Sequence, residues 1–445
     1  MNILVLNGSP KGENSVTLQT CLYLEKLHPE LNFEILHAGA RIKVLEKDFT
    51  PAKEALDRAD LILFSYPVYT FIAPCQMHRF IELLKESGIS VAGKYATQLS
   101  TSKHFYDVTA HRYIQDNAQE MGMKYVRGLS ADMDDLLCER GQKEAEAFLQ
   151  RFLWNMEKVY SEPCLLTPAN PKRLPVTVPA ENGGDKPGDI VIIADVREGD
   201  SQLQSMIDRF RAVLPLKTRV VNLQEFPFKG GCLGCFNCAT DGKCIYKDGF
   251  DAFLRKNIQT AQAMIYAFTI RDHSPGSRFK LFNDRQFCNG HRTVTMGMPV
   301  GYLISGDYGV ETNLQMIVEG RAQVGSNILA GIATDQADPD HAIDELASSL
   351  VYALENKPAQ PQNFYGIGGM KIFRDLIYKM RGMMKADHRF YKAHGQYDFP
   401  QKDKGTILKM YLVGALLSSP KIKAKMGNQM NEGMIGPYRK IVEGK

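Results

Sequence analysis

No run of about 20 apolar residues occurs in the 445-residue chain, so the sequence offers no helix able to span a bilayer. The longest candidate in the tail, Met410 to Leu417, is far too short. The N-terminus, Met1-Asn2-Ile3-Leu4-Val5, lacks the basic region and small-residue cleavage site of a secretory signal, and the expected compartment is the cytoplasm. Compositional bias is also missing: 37 Gly, 21 Pro, 44% hydrophobic and 23% charged residues exclude collagen-like, disordered and low-complexity chains. Net charge is only +4, but it is unevenly placed. After residue 356 there are 17 Lys and Arg against 6 Asp and Glu; before it there are 37 against 44. No nucleic-acid recognition motif accompanies the basic tail, so nucleic-acid binding is not expected. Nine cysteines in a cytosolic chain do not imply disulfides, because thiols there are kept reduced.

What is present is a repeated plan. The first half reads as strands near 2–7, 33–37, 61–66, 95–100 and 124–129, alternating with helices near 16–27, 52–59, 76–86, 110–121 and 142–159. Such alternation implies a parallel sheet covered on both faces. A stretch with prolines at 163, 168, 171, 175, 179 and 187 interrupts it and reads as an extended linker. Strands then recur near 190–194, 219–223, 264–268, 300–305 and 328–334. The expected organisation is an α/β domain over 1–160, a linker over 161–188, a second such domain over 189–356 and a basic, Met-rich helical extension over 357–445. In the extension, helices are expected near 370–385 and 406–417.

The segment Asn7-Gly8-Ser9-Pro10-Lys11-Gly12-Glu13-Asn14-Ser15 lies between the first strand and the first helix, where a doubly wound sheet binds phosphate. Gly8 and Gly12 permit close backbone approach, Ser9, Asn14 and Ser15 can donate hydrogen bonds, and Lys11 adds charge. Neither the nucleotide-hydrolysing G-x-x-x-x-G-K-[ST] order nor the dinucleotide G-x-G-x-x-G order is present, so a monophosphate fits better. The same residues also suit an ordinary capped helix start.

These residues resemble the FMN phosphate loop of flavodoxin-like NAD(P)H-dependent FMN reductases. Pro67-Val68-Tyr69 is similar to that family's flavin segment, and Thr101-Ser102-Lys103-His104 to the third loop framing the flavin. The resemblance implies FMN held by Ser9, Lys11, Asn14, Ser15, Pro67, Val68, Tyr69, Thr101, Ser102 and His104, with NAD(P)H as an electron donor. Hydride passing directly between nicotinamide and flavin requires no side-chain nucleophile, and no catalytic acid or base is assigned. Packing roles for Tyr69, Phe71, His104, Asp107 and His111 stay open.

Cys232-Leu233-Gly234-Cys235-Phe236-Asn237-Cys238, followed by Cys244, places four thiols within 13 residues. Short glycine-rich spacing suits one iron–sulfur cluster. The motif resembles that of iron-sulfur flavoproteins in the same superfamily, which implies a 4Fe-4S cluster on Cys232, Cys235, Cys238 and Cys244. Zinc and free or redox-active thiols remain alternatives. Cys21, Cys75, Cys138, Cys164 and Cys288 read as small buried hydrophobes.

The halves show complementary losses. The first has no cysteine between its second and third strands, whereas the second replaces the phosphate loop with Asp195-Val196-Arg197-Glu198-Gly199-Asp200-Ser201, whose acids would repel phosphate. The expected protein is therefore two tandem flavodoxin-like sheets fused as an intrachain pseudo-dimer, with FMN on one and a cluster on the other. It would exchange electrons with small molecules or a ferredoxin-like carrier. A cluster-free FMN or quinone reductase and a cofactor-free redox-sensing or interaction protein are the alternatives, and homo-oligomerisation is left open. The tail is expected to cap the sheets, with a flavin lid, a docking surface for an acidic carrier or a membrane-surface helix as other readings.

Overall fold

Apolar runs such as Ile3-Leu4-Val5-Leu6 and Leu61-Ile62-Leu63-Phe64 need cover on both faces of their strands, and the computed structural model, which describes residues 1–168, 172–180 and 185–444, provides it. The first sheet contains β1 (Asn2–Asn7), β2 (Asn32–Leu36), β3 (Leu61–Pro67), β4 (Tyr95–Ser102), β5 (Lys124–Tyr125) and β6 (Leu129–Asp132). All pairs are parallel, in the order β2-β1-β3-β4-β5, with β6 also on β4. This is the flavodoxin-like strand order. Helices α1 (Val16–Leu27) and α6 (Glu139–Glu157) bury Leu24 and Phe152 against Ile3, Val5 and Leu63. On the opposite face, α2 (Ile42–Leu45), α3 (Thr50–Arg58), α4 (Cys75–Glu86) and α5 (Asp107–Glu120) cover Leu4, Leu6, Ile62 and Phe64.

The single strand expected over 124–129 is split in two. Ala96 pairs with Tyr125 and Leu99 with Leu129, so one strand advances three residues while the other advances four. The extra residue is a bulge. At Gly128 the backbone presses so close to β4 that a Cβ would lie 2.2 Å from the Gln98 carbonyl oxygen.

The second sheet repeats the topology: β7 (Ile190–Asp195), β8 (Thr218–Asn222), β9 (Ala263–Thr269), β10 (Pro299–Ser305) and β11 (Ile328–Thr334) are ordered β8-β7-β9-β10-β11. It is covered by α7 (Ser201–Val213), α8 (Phe250–Phe253), α9 (Gly276–Arg285), α10 (Thr312–Val324) and α11 (Pro339–Asn356). Of the expected linker, 169–171 and 181–184 lie outside the described residues. Elsewhere in it, Arg173 reaches Ser305 Oγ at 2.8 Å and the Leu174 N–H donates to the Asp335 carbonyl.

The halves meet through equivalent helices, α4 against α9 and α5 against α10, which follow the third and fourth strands of their own sheets. Their seam is polar and buried. The fully buried Asp272 carboxylate accepts from His78 Nδ1 at 2.8 Å, Tyr113 Oη at 2.7 Å and Ser274 Oγ at 2.5 Å. These contacts, the His78 ring foremost, hold its carboxyl below the usual carboxylate range against the opposing effect of burial. Glu82 on α4 accepts from the Ser277 N–H at 2.7 Å and from Ser277 Oγ at 2.6 Å.

The chain forms two compact units, Met1–Arg389 and Phe390–Lys445. The first unit therefore holds both sheets, α12 (Phe364–Lys379) and the start of α13 (Lys385–Ala393). The helix expected over 370–385 stops at Lys379, just before Arg381-Gly382, where glycine weakens helical continuation. The second unit contains α14 (Lys404–Leu417), capped by Asp403, and α15 (Pro420–Val442). Among the described residues no helix is long and apolar enough to cross a membrane.

Candidate functional site

The loop between β1 and α1 is organised by Asn7, whose side-chain amide donates to the Gly12 carbonyl at 2.9 Å and whose Oδ1 accepts from the Ser9 N–H at 3.2 Å. Ser9 Oγ in turn accepts from the Lys11 N–H at 3.3 Å, and Ser15 caps α1 by accepting from Leu18 N–H. Two glycines make the loop fit. A Cβ on Gly8 would lie 2.3 Å from Met77 Cε, and one on Gly39 would lie 2.3 Å from the Gly8 carbonyl oxygen. Gly39, just beyond β2, is thus the floor of the loop, a role invisible in the local motif. Lys11 makes no ion pair among the described residues; its ammonium lies 5.8 Å from the centre of the Phe236 ring. A tight turn, a helix N-terminus and an uncommitted cation fit a phosphate monoester.

The other two segments stand beside it at the carboxyl ends of β3 and β4. Pro67 ends β3, Val68 N–H donates to the Thr101 carbonyl at 3.2 Å, and Tyr69 and Ile72 form an isolated bridge. Between them Thr70 and Phe71 take φ of 44° and 74°, conformations that side chains bearing a Cβ rarely adopt. Thr101 Oγ1 bonds Thr17 Oγ1 at 2.6 Å, tying β4 to α1, and Ser102 Oγ accepts from His104 N–H at 2.8 Å. The His104 ring turns to Asp107 Oδ2 at 2.8 Å, and Ser130 Oγ donates to the same oxygen at 2.6 Å. Burial raises the Asp107 carboxyl, but the hydrogen bonds from Ser130 and His104 outweigh it and hold it low. His111, partly buried, is pushed down to about 4 by desolvation and stays a neutral partner for Ser100 Oγ at 2.8 Å.

Ser9, Lys11, Ser15, Pro67, Val68, Tyr69, Thr101 and Ser102 therefore converge on one edge of the first sheet. Asn14 lies exposed at the turn, and His104 is half-exposed and engaged with Asp107.

The second half completes this edge. The Tyr69 carbonyl accepts from Lys280 Nζ at 2.9 Å, and Lys280 is itself paired with Asp284, both buried on α9. The Cys75 N–H at the start of α4 donates to Asp284 Oδ2 at 2.8 Å. The cysteine loop lies directly on the same surface: a Cβ on Gly234 would come within 1.9 Å of Tyr69 Oη and 3.3 Å of Lys11 Cε, and one on Gly231 within 2.2 Å of Cys75 Sγ. Gln76 Nε2 bonds the Cys232 carbonyl at 3.4 Å. Burial, with Cys232 and Asp284 beside it, pushes the Tyr69 hydroxyl well above its ordinary value. Lys280, Gln76 and Gly39 were not foreseen from sequence, since each acts on the site from a distant segment.

The cysteine loop is anchored by Arg285, which grips Asp248 through two bonds of 2.7 and 2.8 Å and donates to the Gly230 carbonyl at 2.8 Å. Gly234 and Gly242 take φ of 60° and 78°, and the Gly234 N–H points at Cys232 Sγ at 3.5 Å. Among the described residues, however, no three His, Cys, Asp or Glu side chains converge on a position that could hold a metal ion. As placed, the four thiols do not form a closed ligand set. Of the remaining cysteines, Cys21, Cys75 and Cys288 are buried, but Cys138 and Cys164 are exposed, against expectation. Cys138 stands at the start of α6 and Cys164 in the linker, where neither meets a core.

The phosphate-loop position of the second half is filled by ion pairs. Arg197 sits 3.4 Å from Asp195 and 3.3 Å from Glu82, and Arg271 sits 2.7 Å from Asp200. Its cations are spent on Asp195 and Asp200 of its own half and on Glu82 of the first.

Residues 1–134 match the model of the NADPH-dependent FMN reductase family. Among solved structures, the chain is similar to an NADPH-quinone reductase from P. pentosaceus (14% identity, TM-score 0.28, covering 34% of this chain and 97% of that one). It is also similar to general stress protein 14 from Treponema denticola in complex with FMN (13%, 0.28, 36% and 98%). A third is an FMN-dependent NADH-azoreductase from Bacillus anthracis in complex with FMN (13%, 0.28, 34% and 99%). No curated protein matches.

Proposed function

From a first half that matches the NADPH-dependent FMN reductases, we propose that the protein is an FMN-dependent oxidoreductase that takes electrons from NAD(P)H. Ser9, Lys11, Ser15 and the turn N–H groups would hold the phosphate, while Pro67, Val68, Tyr69, Thr101 and Ser102 would line the ring. When bound, FMN supplies acceptance of a hydride and its release as a pair or as single electrons. The chain's own residues bind, orient and shield: Asn7 and Gly39 shape the phosphate turn, Lys280 fixes the Tyr69 carbonyl, and the second-half loop covers Tyr69 from solvent. The observation that carries the reading is the uncommitted Lys11 over a preformed turn at the edge where all three loops meet.

The finer part of the proposal is that the loop bearing Cys232, Cys235, Cys238 and Cys244 takes a 4Fe-4S cluster and exchanges single electrons with a carrier of ferredoxin type. Its support is the loop's position against Tyr69 and Lys11, together with the N–H aimed at Cys232 Sγ. Because the thiols do not converge, no electron-transfer step is derived through such a group. A flavin reductase that works with these cysteines as thiols is the second reading, favoured by that same lack of convergence.

Paired substitutions test both parts. Lys11→Glu is expected to remove FMN and leave iron content unchanged, and Cys235→Ser to remove iron and leave FMN. Loss of both cofactors from a folded Lys11→Glu protein would contradict separate sites. Absence of iron from wild-type protein purified and reconstituted without oxygen would leave the thiol reading.

A further inference from the structure

Beside the flavin segment, but lined mostly by the second half, lies a cavity of about 160 Å³. Phe71 and Phe105 form its first-half wall, Tyr266 and Phe287 its second-half wall, and Phe373 of α12 also lines it. Phe105 stacks on Phe373 with ring centres 4.2 Å apart, and Phe71 lies 5.1 Å from Phe105. An engineered apolar cavity of about 150 Å³ is enough to bind benzene, so this space admits a single ring.

Its charge is one-sided. No Asp or Glu lines it, while Arg292, His291 and Arg321 do. Asp387 approaches Arg292 Nε and His291 Nδ1, each at 3.3 Å, so those two are committed to a carboxylate. Arg321 is not. Its guanidinium lies 5.7 Å from the Tyr266 ring centre and has no carboxylate partner among the described residues. A partly buried cation without a counter-ion raises the local potential, and a guanidinium fork matches a carboxylate geometrically. The wall also contains the left-handed Thr70 and Phe71, and backbone held in sparsely populated regions clusters at ligand clamps.

We propose that this cavity binds a planar, single-ring aromatic carboxylate, with the ring between the phenylalanine walls and the carboxylate on Arg321. The site is independent of the flavin reading, and its test does not use turnover.

Calorimetric titration of the full-length protein as purified compares three probes: benzoate, benzyl alcohol (ring without charge) and acetate (charge without ring). Benzoate is expected to bind at least about 10-fold tighter than either, the scale of one charge-assisted pair. Arg321→Gln should weaken benzoate about 10-fold or more and leave benzyl alcohol unchanged, while Arg321→Lys should restore part of the loss. Equal binding of acetate and benzoate would reduce the cavity to an anion site and overturn the proposal, as would benzoate binding untouched by Arg321→Gln. Absence of benzoate binding to the wild type would overturn it too. The three-probe comparison on the wild type decides even where a variant fails to fold.

Discussion

A methyl group at Gly39 would meet the backbone oxygen of Gly8, an atom that cannot swing aside as a side chain can. Gly39→Ala is therefore expected to destabilise the protein by about 1–3 kcal/mol, the range for overpacking a tight site. It should also lower FMN retention; thermal unfolding and flavin absorbance check the two. A Gly39→Ala protein with unchanged stability and flavin would show that the turn does not depend on this contact. At this scale the shape of the turn after β1 was legible, because Ser9, Lys11 and Ser15 sit in one contiguous stretch that joins a strand to a capped helix. Lys280 was not. Its bond to the Tyr69 carbonyl joins residues 211 apart, and nothing local distinguishes it from other lysines on an amphipathic helix. Cys138 and Cys164 were misjudged for a related reason, since residue type favours burial but does not say which segments reach a core.

Helix α5 ends against the second half with a charged contact that responds to pH. His273 Nδ1 lies 2.9 Å from Glu311 and its Nε2 lies 3.3 Å from Glu120 at the end of α5. Burial disfavours the charged ring, but the two carboxylates outweigh it and raise His273 to about 9. Since the folded value exceeds the unfolded one near 6.5, this contribution is full below about pH 6.5 and is lost as pH rises through about 9. Its upper limit is about 3 kcal/mol. Denaturant titrations from pH 6 to 10 should show that loss, and His273→Gln should flatten it; an unchanged slope in the variant would assign the pH dependence elsewhere. Asp272 works in the opposite sense. Its depressed carboxyl contributes fully above the ordinary carboxylate range, and that contribution is lost as pH falls below it, so the seam between α4 and α9 weakens in strong acid. Most strands and helices were visible as apolar runs and amphipathic periods. The split of β5 from β6 was not, because a bulge is set by register against β4 rather than by the strand's own residues.

Over the whole molecule, two sheets of the same strand order differ after their first strands: one leaves its turn open, and the other fills that position with Asp195–Arg197 and Asp200–Arg271 pairs. The repeat of one parallel α/β strand plan could be read from the chain. Which residues the cysteine loop would rest on could not, because that depends on how two sheets dock. The division of the tail was equally hidden: α12 belongs with the sheets, burying Ile377 and receiving the Tyr106 hydroxyl on its Tyr365 carbonyl at 2.9 Å, whereas Phe390–Lys445 is a separate unit. A chain ending at Asn356 should lose several °C in Tm because Phe105, Tyr106 and Gln323 are uncovered. An unchanged Tm in that truncation would remove α12 from the core structure. The central claim is that the first-half turn holds FMN. The most direct measurement is an absorption spectrum of protein purified without oxygen, with FMN, iron and acid-labile sulfide quantified per chain. The expected result is one FMN per chain, with iron and sulfide in equal amounts if the cysteine loop is assembled. A colourless protein that takes up no FMN when it is supplied would contradict the flavin assignment.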